Sequence, residues 1–163
     1  MIELRVETHN AFTVCGKKTW ISGQDNDLFG CFWEECHADG TVNLLRTTAK
    51  PEITNSSVIG VSCVEKDPSN RAFDFYVAAE GAQVPGFDTL VIPTCTWAIF
   101  KNRGEQPLAL VEAEMHAFNE WLPQSGYVHA PAPELEVYPY DGSVEFWLPV
   151  VAEKKSGGCD VLY

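Results

Sequence analysis

The sequence predicts one α+β domain: a pseudo-twofold duplicated strand–helix–strand–strand unit, with antiparallel sheets and two main helices around a ligand cleft. Three observations predict it. The chain has 163 residues, the size of a single domain with a full core. Most of its apolar segments are short and alternate with period two, and only two carry helical spacing. The chain also comes close to repeating itself. Thr19-Trp20 matches Thr96-Trp97, and VIGV from residue 58 matches LEVY from residue 135 at the same offset; FDFYV from 73 matches VEFWL from 144 at a shorter one. Two halves, about 1–80 and 81–153, make up a domain over 1–153, and 154–163 form a tail.

Residues 2–8 and 11–22 read as strands. Residues 28–39, LFGCFWEECHAD, read as a helix capped by Asp25, Asn26 or Asp27 and ended by Gly40. Leu28, Phe32 and Cys36, or Phe29 and Trp33, share a face at i, i+4 spacing. Residues 58–65 and 73–80 read as strands, and 87–100 as a further strand region. A second helix is predicted over about 107–121. Pro107 suits its first turn, Glu112 and Glu114 favour its N-terminal half, and Leu108, Val111, Met115, Phe118 and Leu122 form one stripe. Pro123 stops it. Strands over about 134–140 and 143–151 complete the fold.

Net charge is −12 and the pI about 4.6. Such a surface opposes direct nucleic-acid binding, which rests on Lys and Arg neutralising phosphates; it suits attraction of cationic small molecules. The N-terminus lacks the basic start and apolar core of a signal peptide, and no run reaches a membrane span. The expectation is a cytoplasmic protein without membrane contact. Six cysteines are scattered without a CxxC pair, so neither a metal site nor a cofactor is expected. The four histidines have no Ser or Cys partner at a telling spacing, no GxSxG occurs, and GAQVPG lacks the Lys and the glycine spacing of a phosphate loop.

The segment SVEFWLPV, 143–150, poses the main question. It is apolar apart from Glu145, and a buried carboxylate without a partner is costly. Side chains two apart on a strand share a face. Glu145 therefore groups with Trp147, and the repeat makes Asp74 and Tyr76 their counterparts. Glu136 with Tyr138, alternating against Leu135 and Val137, is the rival pair; either pair, or both, could line a pocket. Trp33, Trp97, Phe118 and Trp121 read first as core. Five tryptophans in one small acidic domain are nonetheless ample for a cleft, with Trp33 and Trp97 the foremost candidates to line it.

FDFYVAAE, GFDTLVIPTCTWAIF, FNEWLPQSGY, PELEVYPY and VEFWLPV, in that order, resemble the GyrI-like effector-binding (multidrug-binding) family, chiefly over residues 58–151. The resemblance implies the duplicated α+β module. It also implies kinship with the ligand-sensing halves of MerR- and AraC-type transcription regulators, with gyrase-modulating proteins and with stand-alone members, some carried on mobile gene cassettes. It further implies a pocket for lipophilic cations among aromatic rings with one buried acid, and Glu145 is the position that best matches that acid. Ala78-Ala79 depart from the glycine that many members carry there, so the strand should bend less. The chain holds no helix-turn-helix segment.

The sequence thus points to a stand-alone binder of lipophilic, cationic drug-like compounds, with Glu145, Trp147, Tyr76, Trp33, Trp97, Glu136, Tyr138, Asp74 and Phe118 as ligand-binding candidates. Two alternatives stand beside it. One is a hydrolase of cyclopropane-type electrophiles on the same fold, with Glu145 or Glu136 as general base aided by Tyr138. The other is an acidic interaction protein that modulates gyrase or a regulator, through a protein partner or as a homodimer.

Overall fold

The computed structural model describes residues 1–22, 27–69 and 71–154. The proposed caps Asp25 and Asn26 and the tail beyond Lys154 lie outside the described residues. The elements are β1 (Glu3–His9), β2 (Phe12–Ile21), α1 (Asp27–Ala38), α2 (Thr41–Thr48), β3 (Ile59–Ser62), β4 (Phe73–Glu80), β5 (Asp88–Ile92), β6 (Cys95–Asn102), α3 (Leu108–Met115), β7 (Tyr127–His129), β8 (Glu134–Val137) and β9 (Val144–Ala152). They build one antiparallel sheet in the order β1-β6-β9-β8-β3-β4-β2-β5, with β7 also paired to β9.

That order is symmetric about the β8–β3 junction. Exchanging β1 with β5, β6 with β2, β9 with β4 and β8 with β3 returns the same sheet. The duplication is therefore topological, but its register differs from the one the sequence suggested. β1 leads to β2, and β5 to β6, through two residues each, the linked strands lying on opposite sides of the symmetry junction rather than pairing as hairpins, which equates Phe12 with Cys95 and Val14 with Trp97. Val14 lies opposite Glu80 in its ladder and Trp97 opposite Pro149 in the other, so the counterpart of Glu145 is Tyr76 rather than Asp74. Shared aromatic letters mislead here because an aromatic suits many half-buried strand positions.

Several elements differ from expectation. The region 87–100 is two strands, because Pro93 has no amide hydrogen for a ladder and the chain turns at Pro93-Thr94. β3 and β8 end at Ser62 and Val137, sooner than predicted. The short helix α2 was not foreseen: TVNLLRTT is poor in strong helix formers, and α2 stands on burial of Val42 and Leu45. Gly40 enters it with φ 87°, and Asp39 Oδ1 accepts the Thr41 amide at 2.9 Å. β7 is only three residues long. Beyond Met115 the second helix continues as a π-helical stretch, His116–Trp121.

All three helices cover one face of the sheet. α1 and α2 pack on β2 and β4, and α3 packs on β6 and β9. Phe32, Cys36, Val42 and Leu45 meet Phe73, Phe75, Val77 and Ala79 on the first side; Ala109, Leu110, Ala113 and Ala117 meet Ala98, Phe100, Phe146 and Leu148 on the second. α3 thus approaches through alanines, which allow close packing. Of the predicted stripe, Leu108, Val111 and Met115 point away from the sheet and stay exposed, whereas Phe118, though also exposed, reaches Phe146. Among the described residues the helices pack on β2–β4 and on β6–β9 and not along the central β3–β8 pair, so the strip between the two helical blocks is the candidate groove at the symmetry junction. The opposite face holds a closed core of Phe12, Val14, Ile59, Val61, Tyr76, Trp97, Leu135 and Trp147. Ala78 and Ala79 are fully buried inside an unbroken β4, and it is the partner strand's Gly16 that makes room opposite Ala78.

Candidate functional site

Alternation along each strand decides which candidates reach the groove. On β8, Leu135 and Val137 enter the closed core, so Glu136 points to the helix side. Its cross-strand neighbours are Gly60 on β3 and Phe146 on β9. Glu136 therefore stands on the floor of the groove at the symmetry junction.

Two neutral donors meet one of its oxygens. Trp33 Nε1, from α1, donates to Glu136 Oε1 at 2.6 Å, and the Tyr138 hydroxyl donates to the same atom at 2.9 Å. The Trp33 and Tyr138 rings meet edge to face with centroids 5.6 Å apart. On the other side, Phe118 packs over Phe146 at 5.7 Å. The floor carboxylate is thus walled by aromatic rings from α1, from the segment after β8 and from the π-helical stretch. No cationic side chain among the described residues pairs with it.

Gly60 makes this placement possible. A Cβ built there would lie 2.5 Å from Glu136 Cδ and 2.6 Å from Oε1. An isolated glycine within a strand marks such a close approach. Burial raises the Glu136 proton affinity above the ordinary carboxylate value, while the Tyr138 and Trp33 bonds work in the opposite direction. Burial, and then the nearby Glu136 charge, raise the Tyr138 hydroxyl far beyond the neutral range, so it serves as a donor and not as a base. On α3, half-buried Glu114 has its pKa pushed up to about 8, by burial first and then by the charges of Glu136 and Glu134. Neither Glu114, Gly60 nor Phe146 was singled out for the site from sequence.

The other predicted residues lie elsewhere. Glu145, Trp147, Tyr76 and Trp97 belong to the opposite face and are buried. Glu145 has its counter-charge within the chain. Arg5 Nη1 and Nη2 from β1 donate to Glu145 Oε2 and Oε1 at 2.9 and 3.1 Å, and Trp147 Nε1 donates to Oε1 at 3.0 Å. A carboxylate held in this bidentate way is satisfied and turned from the groove. His9 stacks on Trp147 at 5.7 Å and covers it further. Asp74, at the start of β4, is partly exposed with Lys18 Nζ 3.7 Å away. These five residues form no groove with Trp33, Glu136, Tyr138 and Phe118, which the fold does bring together. Among the described residues no group of His, Cys, Asp and Glu could hold a metal ion, and no helix is long and apolar enough to cross a membrane.

A duplicated sheet with an aromatic-walled, carboxylate-floored groove at its symmetry junction defines a small-molecule-binding module. The chain belongs to the GyrI-like family: the model of the GyrI-like small molecule binding domain matches residues 2–151. Among solved structures it is similar to SAV2435 bound to tetraphenylphosphonium, at 17% identity and a TM-score of 0.79 over 91% of this chain and 94% of that one. It is also similar to an integron cassette protein from the mobile metagenome of Vibrio cholerae, at 18% identity and 0.68 over 91% and 95%. A third likeness is to the EcmrR C-terminal domain, at 12% identity and 0.59 over 94% and 99%. At these identities the likeness is one of fold. Among curated protein sequences there is no significant match.

Proposed function

We propose that this GyrI-like domain takes up lipophilic cations in the groove between α1 and α3, with Glu136 as the counter-charge. One observation carries the reading: a half-buried carboxylate at the groove floor is held only by neutral donors and neighboured by Trp33, Tyr138, Phe118 and Phe146. A cation there meets a full charge in a poorly solvated setting. The ring faces add about 0.5–2 kcal/mol each through their quadrupoles. Apolar walls tolerate varied shapes, so breadth of ligand is expected. The net charge of −12 favours cation encounter. A solved neighbour of the same fold is bound to tetraphenylphosphonium, which agrees with this choice of ligand class.

The raised proton affinity of Glu136, beside the Tyr138 hydroxyl, supports a second reading as a hydrolase. Glu136 would take a proton from a bound water as it attacks an electrophile, and Tyr138 would donate to the charge that develops. Tryptophan-fluorescence titration separates charge from shape. Tetraphenylphosphonium and tetraphenylborate have nearly the same form and opposite charge. The binding reading expects saturable quenching by the cation, at least tenfold weaker response to the anion, and no consumption of ligand. Equal affinity for both ions would overturn it.

A further inference from the structure

We propose that β1 is a dimer edge: two copies of this chain join by antiparallel pairing of their β1 strands about Val6, which makes one continuous sheet across the pair. The inference concerns a different part of the molecule from the groove and stands independently of the cation reading.

β1 and β5 are the two edges of the sheet. β1 has seven residues and pairs with β6 over its whole length. Its outer N–H and C=O groups therefore form an open ladder, a template for another strand. Edges are commonly guarded by proline, a bulge or brevity. β1 has none of these: its register with β6 is unbroken from Glu3 to His9. Charges do stand on it, in the order Glu3, Arg5, Glu7, and that order decides whether they repel or attract a second copy. The other face of β1 carries Leu4 and Val6, 41% and 44% exposed. They lie opposite Phe100 and Ala98, which belong to the core beneath α3.

In an antiparallel pair, opposed residues either both turn their backbone groups to the partner or both turn them away. A strand that pairs with its own copy can therefore oppose only residues of the same parity. Pairing about Arg5 would set Glu3 against Glu7 and Arg5 against itself. Pairing about Glu7 would set Glu7 against itself. Pairing about Val6 matches every residue of the strand: Glu3 with His9, Leu4 with Thr8, Arg5 with Glu7, and Val6 with itself. Like charges directly opposite destabilise a pair and opposite charges support it, so the full-length register is also the charge-matched one. The side chains are accessible for it, with Arg5 41% and Glu7 39% exposed. Arg5 donates through Nε to Glu7 and through Nη1 and Nη2 to Glu145, and a guanidinium with five N–H groups keeps two for Glu7 of the second copy. The other edge, β5, has five residues and Asp88 as its one charged group, so it has no charge-matched pairing with itself. A β1–β5 contact would run on as an open filament, whereas β1 against β1 closes as a twofold dimer.

Sedimentation equilibrium over about 5–500 μM protein should give a monomer–dimer equilibrium with a Kd on the order of 10–100 μM, as suits a small interface. Val6→Lys sets two like charges against each other at the twofold and should weaken association at least about tenfold. Val91→Lys on β5 should change it less than about twofold, since β5 takes no part. Cross-linking reads the register, in a background with exposed Cys31 and Cys159 replaced by serine. Val6→Cys should form an intermolecular disulfide on mild oxidation at least about tenfold faster than Val91→Cys, which reports chance encounter. Leu4→Cys and Thr8→Cys should cross-link when mixed and neither alone, because the two Leu4 positions lie about 14 Å apart in this register. A wild type that stays monomeric at the highest concentration, association broken by Val91→Lys, or Leu4→Cys cross-linking with itself would overturn the proposal. Should Val6→Lys fail to fold, the cross-links decide: Val6→Cys no faster than Val91→Cys refutes the pairing.

Discussion

Replacing Gly60 by alanine tests the groove without touching a charge. The added methyl would sit 2.5 Å from Glu136 Cδ and 2.6 Å from Oε1, against an ordinary contact of 3.4–4 Å. The carboxylate must therefore move by about 1 Å. It cannot do so and keep both the 2.6 Å bond from Trp33 and the 2.9 Å bond from Tyr138. A carboxylate moved from its place loses its charge-assisted contact with a bound cation, about 1.4 kcal/mol or more, which predicts at least a tenfold loss of affinity for a lipophilic cation. The backbone has no objection to alanine here: Gly60 lies mid-strand without a positive φ, and alanine in place of a strand glycine favours folding by about 0.5–1 kcal/mol. The steric cost should vanish when the carboxylate is also cut away, so Gly60→Ala should stabilise a Glu136→Ala background. Calorimetry with tetraphenylphosphonium and urea denaturation of the four proteins of this cycle measure both effects. Cation affinity within twofold of wild type in Gly60→Ala would refute the placement of Glu136 as the binding group.

Two further predictions follow from the buried charges. Glu145→Gln leaves Arg5 without its bidentate partner and should cost about 1–3 kcal/mol of stability, the low end reflecting the 41% exposure of the Arg5 side chain; cation affinity should change less than twofold, as read by denaturation and titration of the same variant. Glu114 holds its proton to about pH 8 when folded but only to about 4.5 when unfolded, so the folded state binds more protons in that window and stability falls as pH rises through it, with a slope of up to about 1.4 kcal/mol per pH unit. Wild-type minus Glu114→Gln stability across pH 4–9 should show that decline between the two values and none below 4.5 or above 8.

Much of the fold was legible because strand alternation and the aromatic–apolar helix α1 leave direct marks. Phe32 and Cys36 face the sheet as their spacing said. α3 was placed correctly but turned wrongly: small alanines, not the larger Leu108–Val111–Met115 stripe, face the sheet, and volume complementarity across a packed layer cannot be read from one strand of sequence. The candidate acid was narrowed to Glu145 or Glu136 and weighted toward Glu145, which pairs with Arg5 on the face opposite the proposed groove. Both alternate with apolar neighbours. What separates them is long-range: Arg5, far away in sequence, pairs with one, and the helix-free β3–β8 junction exposes the other. A local signal did exist in Gly60, an isolated glycine in an otherwise β-branched strand. Glu114 was read as a helix-terminus charge because its neighbours on β8 are invisible along the chain.

The measurement that bears most directly on the central claim is tetraphenylphosphonium affinity of Glu136→Gln beside Glu145→Gln. Loss of the floor charge removes a charge-assisted contact of about 1.4 kcal/mol or more, so Glu136→Gln should bind at least tenfold more weakly and Glu145→Gln nearly as wild type. The reverse pattern, or equal losses in both folded variants, would contradict the assignment of the groove and of its counter-charge.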